Sequence, residues 1–141
     1  MSEINWAALQ QAAKQASAQA YAPYSKFPVG VAVLAASGNI YSGCNVENAS
    51  YGGTVCAERN AIAAAVVAGE RQFQALMVYT PQTQLTPPCG ICRQVIAEFF
   101  TPDAPVASCN HLAQQQSWTL GELLPAAFTP TYLANSTKVG A

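Results

Sequence analysis

Charge is what this sequence has least of. Only 9% of its 141 residues are Asp, Glu, Lys or Arg, against roughly a quarter in an ordinary soluble domain. Six basic and seven acidic residues leave a formal net charge of −1. Two of the basic residues, Arg59 and Arg93, stand inside cysteine-containing segments, and Lys14, Lys26, Arg71 and Lys138 are scattered. A phosphate backbone calls for clustered cations, so no nucleic-acid partner is expected. Long apolar runs are missing as well. Although 51% of the residues are hydrophobic, Gly, Pro and polar residues break every run short of the ~20 that a membrane span needs. The opening MSEINWAALQ lacks the basic start and apolar core of a secretion signal. There is a single histidine, and the five cysteines are an odd number, which suits reduced thiols better than a disulfide framework. The expectation is a cytoplasmic protein with no membrane partner. So few surface charges on so apolar a chain also predict that copies of it cover part of one another, as a homo-oligomer.

The length is that of one domain with a real core. INWAALQQAAKQASAQAYA places Ile4, Ala8, Ala12 and Ala16 on one face of an opening helix, ended by Pro23. FPVGVAVLAASGNIYSGCNVEN reads as two strands, with Val29, Val31 and Val33 alternating and a turn at Ser37-Gly38-Asn39. A helix is predicted from about Cys56 to Ala68, stopped by Gly69, then a strand over 75–80 and a second helix over 89–100. Late strands are expected at 105–109 and 116–120, followed by a short helical turn in GELLPAAF and a loose tail over 129–141. Two early strands followed by alternating helix and strand predict a three-layer α/β/α architecture with a mixed five-stranded sheet, as one domain over 1–141.

The chemistry gathers around TVCAERNAIAAAVVAG, where Glu58 and Arg59 follow Cys56 at the mouth of an apolar helix. Burying either charge is costly unless something compensates it. The pair Cys89 and Cys92 in PPCGICRQ also leads into a helix, where unpaired N–H groups stabilise thiolates. Alone, C-x-x-C leaves a redox dithiol, a structural zinc and coincidence open. A third cysteine at another helix start shifts the balance toward a metal. Three thiolates without a histidine ligand suit zinc, and a three-ligand site keeps a fourth position for water, which is the catalytic arrangement. His111 lies in a predicted turn and reads as a solvated residue. Three thiolates also leave the centre one unit negative, a poor Lewis acid. Arg59 can draw charge from the sulfurs by hydrogen bonding, and Glu58 can move the protons of the bound water. The bland alternative makes both residues first-turn helix charges in solvent. Cys44 and Cys109 end predicted strands with no partner at ligand spacing, and read as small buried hydrophobes.

CNVENASYGGTVCAERNAI followed by TPPCGICRQVI resembles the cytidine deaminases, specifically the small homotetrameric type. YAPYSKFPVGVAVL and GELLPAAF extend the resemblance to about residues 21–128. The zinc-deaminase signature is H-x-E…P-C-x-x-C with a glutamate that is not a ligand; Cys56-Ala57-Glu58 puts Cys in place of His, as in the small cytidine deaminases. The resemblance implies the cytidine deaminase-like fold and one zinc ion per chain on Cys56, Cys89 and Cys92, with Arg59 beside them. It implies a hydrolase of pyrimidine salvage that converts cytidine and deoxycytidine to uridine and deoxyuridine with release of ammonia. Glu58 is then the acid–base group, serving the attacking water, the ring N3 and the departing amine. It further implies Phe27 against the pyrimidine, the Ala57 backbone reading the base, and Asn45 and Glu47 on the ribose 3′-hydroxyl. The resemblance implies, too, that Tyr51 and Phe128 come from neighbouring chains of a homotetramer. Taken alone, Phe27 reads as core and Asn45 as an ordinary strand end; Glu47 is harder to dismiss, because a carboxylate there needs a donor. Gly52-Gly53 departs from relatives that carry a bulkier side chain. Three alternatives stay open: a deaminase of a related aminopyrimidine nucleoside such as an antibiotic, an editing deaminase, and a binding module with a structural zinc whose fourth ligand is Cys44 or Cys109.

Overall fold

The computed structural model describes residues 3–134. Its centre is one mixed sheet with strand order β2-β1-β3-β4-β5, formed by β1 (Gly30–Ala35), β2 (Ile40–Cys44), β3 (Phe73–Thr80), β4 (Pro105–Asn110) and β5 (Gln115–Thr119). β1 pairs antiparallel with both β2 and β3, and β5 pairs antiparallel with β4. Only β3 and β4 run parallel, joined by the crossover helix that a parallel pair requires. The layered α/β architecture and the five strands agree with the sequence expectation.

Alternation along the strands divides the core into two layers. Val31, Val33, Leu76, Val78 and Val106 face α2 (Ala57–Val67), α3 (Gly90–Phe99) and α4 (Leu120–Leu123). Ala32, Ala75, Met77, Ala107 and Cys109 face α1 (Trp6–Ser17) on the other side. Small residues dominate the α1 side, so that helix lies close. At its tightest point, a Cβ on Gly30 would stand 1.8 Å from the Ala13 carbonyl oxygen. Gly43 allows the same approach to α2, where a Cβ would meet the Ala61 nitrogen at 2.4 Å.

The helices differ from expectation in three places. The buried stripe of α1 is Leu9, Ala13 and Ser17, with Ala8, Ala12 and Ala16 only flanking it. In an alanine-rich helix the one leucine sets the face. α1 also ends at Ser17 rather than near Pro23. Ser17 Oγ donates back to the Lys14 carbonyl at 2.6 Å, and Tyr21 uses both backbone groups to bridge Asn45 and Glu47, which a helical residue could not do. The expected loose tail begins with a short helix, α5 (Pro130–Ala134). Proline suits the first helical position, and Phe128 stacks on Tyr132 at 5.6 Å; residues 135–141 of that tail lie outside the described part. α4 carries a reciprocal cap, Glu122 N donating to Thr119 Oγ1 at 3.1 Å and Thr119 N to Glu122 Oε1 at 2.8 Å. Among the described residues no helix is long and apolar enough to cross a membrane.

Gly30→Ala forces α1 off the sheet and is expected to cost roughly 3 kcal/mol of stability. A lower urea midpoint at unchanged slope checks this.

Candidate metal centre and its cavity

Cys56 is the N-cap of α2 and Cys89 the N-cap of α3, both with extended backbone (ψ 155° and 168°). Cys92 is the third residue of α3. A side chain at the N-cap reaches over the third helical position, the geometry that also builds capping boxes, so C-x-x-C here brings two sulfurs together. Neither N-cap sulfur caps its own helix. α2 and α3 lie against each other, and the three Sγ atoms all fall within 4.8 Å of one another. Cys56 Sγ and Cys89 Sγ are 3.9 Å apart. A tetrahedral zinc with Zn–S bonds of about 2.3 Å separates its sulfurs by about 3.8 Å, whereas a disulfide needs about 2.05 Å. All five cysteines are free thiols. The donor set therefore fits zinc.

Neither Cys44 nor Cys109 joins the cluster. Cys109 is buried under α1, where burial pushes its thiol up to about 11. Cys44 corrects the expectation of a buried hydrophobe: it is only half-buried, because β2 is an edge strand. The arrangement leaves three sulfurs and no fourth thiolate, contrary to the structural-zinc alternative.

Charge is distributed unevenly among these groups. Hydrogen bonding from Cys92, and from Arg59 and Cys89, brings the Cys56 thiol down to about 5 against the opposing effect of burial. Cys92 is raised by that same bond and by its burial. Arg59 Nη2 lies 3.9 Å from Cys56 Sγ and donates to the Thr54 carbonyl at 3.2 Å. Its Nε is buried and has no hydrogen-bond partner. Arg59 is thus half-buried, with one guanidinium nitrogen directed at the Cys56 sulfur. Glu58 is 5% exposed. Burial pushes its carboxyl up to about 7, and the Cys56 charge adds to the rise. The bland reading, two solvated helix charges, does not describe this pair.

A cavity of about 340 Å³ opens here, within the range of small-molecule sites. Cys56, Cys89 and Glu58 line it, together with Phe27, Asn45, Glu47 and Ala57. Tyr51 and Phe128, expected to be supplied by neighbouring chains, do not line it within one chain. Tyr51 borders an adjoining hollow that shares Ser25, Glu47 and Thr54, and meets Tyr24 edge-on at 6.0 Å. Phe128 lies in the C-terminal segment against Tyr132. They are 76% and 58% exposed. The Gly52-Gly53 pair sits in the 3₁₀ turn Tyr51–Gly53 with room for a Cβ at both positions, so packing within the chain does not demand glycine.

Asn45 has a structural task the sequence did not disclose. Its Nδ2 donates to the Phe27 carbonyl and its Oδ1 accepts from Val29 N, both at 2.9 Å, pinning the segment before β1 that presents Phe27. Glu47 Oε1 accepts from Tyr24 N at 3.0 Å and Ser25 N at 3.1 Å, and Oε2 accepts from the Ser25 hydroxyl. That hydroxyl, then the backbone donors, hold the Glu47 carboxyl below the usual carboxylate range. Sequence reasoning missed Ser25, Thr54, Thr86 and Pro87, which also line the cavity. The only available signal was that Glu47 needs a donor, and nothing local points 22 residues back to Ser25.

The family profile described as "Cytidine and deoxycytidylate deaminase zinc-binding region" matches residues 4–108. A cytidine deaminase of Sporosarcina psychrophila is 51% identical over 116 residues, covering 82% of this chain and 85% of that protein. The crystal structure of a cytidine deaminase from Burkholderia pseudomallei superposes with a TM-score of 0.84 at 44% identity, covering 89% of this chain and all of the other. The cytidine deaminase structure from Mycobacterium tuberculosis gives 0.79 at 39% identity, over 89% and 98% of the two chains.

If the three sulfurs form one site, zinc binds at one ion per chain. Cys56→Ala, Cys89→Ala and Cys92→Ala should each lose it, while Cys44→Ala and Cys109→Ala keep it. Elemental analysis after dialysis reads the outcome directly.

Proposed function

The chain belongs to the cytidine deaminase family, and from that membership we propose how its residues carry out the hydrolytic deamination of cytidine to uridine and ammonia. One observation carries the reading: a buried carboxyl poised near neutrality shares a cavity with thiols at zinc-ligand spacing. Cys56, Cys89 and Cys92 hold the zinc of this zinc-binding family, which when bound polarises a water molecule as a Lewis acid. Glu58 is the proton carrier. Its carboxylate accepts a proton from the attacking water and places it on the ring N3; it then takes the remaining proton from the hydroxyl newly bonded to C4 and delivers it to the amine, which leaves as ammonia while the C4 carbonyl forms. With its carboxyl held at about 7 by burial, both protonation states are available at neutral pH, as an acid–base group requires. Arg59 draws charge from the Cys56 sulfur and so offsets the excess of three thiolates.

The remaining residues position the nucleoside. Phe27 packs against the pyrimidine, the Ala57 backbone reads the base, and Asn45 and Glu47 meet the ribose 3′-hydroxyl. Deoxycytidine retains that hydroxyl and is accepted on the same grounds; family membership supports a role in pyrimidine salvage, with the cytoplasm as its compartment. The chain acts as one catalytic domain. In a homotetramer, neighbouring chains supply Tyr51 and Phe128 to complete each pocket; the strong exposure of both in the single chain supports this.

Glu58→Ala is the decisive variant. It should keep its zinc and its melting temperature while kcat falls by about 10²- to 10⁴-fold, the usual worth of a positioned acid–base group. Loss of zinc or of folding in step with activity would mean instead that Glu58 is structural. Light scattering should give four times the chain mass, and a monomer would overturn the shared pockets.

A further inference from the structure

Glu47 is held in an unusual way for a residue on the surface of a pocket. An ionised carboxylate is acceptor-only, with about four lone-pair sites. Two of them, on Oε1, are filled by the backbone N–H groups of Tyr24 and Ser25. A third, on Oε2, is filled by the Ser25 hydroxyl. One site is left, on Oε2, and Glu47 lines the cavity. The hydroxyl that fixes this remaining site also has a second partner, because Ser25 Oγ accepts from Phe27 N at 3.1 Å. Since the carboxylate cannot donate, the hydrogen of Ser25 Oγ points to Glu47 and its lone pair to Phe27. A single hydroxyl thus connects the residue assigned to the base with the residue assigned to the sugar. Asn45 fastens the same segment from the other side, and the Lys26 backbone between them is left-handed, at φ 58°. A conformation that disfavours a side chain by about 1–2 kcal/mol persists only where its surroundings impose it.

We propose that Ser25 is a positioning residue for substrate selection: through its hydroxyl it orients the one free acceptor of Glu47 toward a ribose 3′-hydroxyl and keeps that acceptor in register with Phe27. This rests on the reading of Glu47 given above. Ser25 lines the cavity itself, but it acts through Glu47.

The test compares cytidine with 3′-deoxycytidine, which lacks the hydroxyl in question. Ser25→Ala should raise KM for cytidine about tenfold, the worth of one hydrogen bond to a charged group, with kcat changed by less than about twofold. For 3′-deoxycytidine, which still meets Phe27, the same variant should lose distinctly less, so that the wild-type preference for cytidine over 3′-deoxycytidine shrinks. Ser25→Thr, which restores the hydroxyl, should recover most of the cytidine KM. Equal losses on both nucleosides, a loss confined to kcat, or no recovery with Thr would overturn the proposal, since a merely structural role produces those patterns. Glu47→Gln separates the two levels. If it removes the preference for cytidine while Ser25→Ala leaves that preference intact, the role of Ser25 alone falls. If Glu47→Gln also leaves the preference intact, the sugar contact falls and the role of Ser25 with it.

Discussion

Everything at this site depends on holding two helix N-termini side by side. Cys56 and Cys89 belong to segments 33 residues apart, yet their sulfurs lie 3.9 Å from each other. The scaffold supplies that closeness through backbone contacts rather than through the sulfurs. Gly43 lets α2 press on β2, and Asn60 Nδ2, one turn into α2, donates to the Cys44 carbonyl at 2.8 Å. On the other helix, Arg93 Nε holds the Pro88 carbonyl at 2.7 Å, fixing the turn just before Cys89. The sulfurs are thereby assembled by the fold, at helix starts whose unpaired N–H groups favour negative charge.

The same cavity holds two carboxyl groups whose environments push them apart. Glu47 meets two backbone donors and a hydroxyl, which keep it ionised. Glu58 is buried beside a thiolate, which keeps its proton within reach near neutrality. That separation supports the proposed roles, in which the well-hydrogen-bonded group is a fixed acceptor and the desolvated group moves protons.

Much of this was legible in the sequence for a definite reason. Period-two valines and the apolar runs of β3 and α3 report burial directly, and cysteine spacing at helix starts encodes the metal cluster because N-cap and third-residue side chains meet by geometry. Where side chains offer little contrast, the sequence is mute. α1 carries alanines around most of its circumference, so its buried stripe was misplaced by one residue. Cys44 ends an edge strand, and edges cannot be told from interiors before the strand order is known. The Ser25–Glu47 contact depends on how the chain folds back.

The turn that carries two of the sulfurs is also tied to the far end of the chain. Arg93 Nη1 donates to the Leu123 carbonyl at 3.0 Å, and Gln94 Nε2 to the Phe128 carbonyl at 2.8 Å. The segment over 123–128 is consequently strapped across α3 rather than appended to it. A fusion partner or surface tether attached there transmits its pull to the helix that presents Cys89 and Cys92. An attachment at the amino terminus loads α1 instead, on the opposite side of the sheet from those sulfurs, and is the gentler handle.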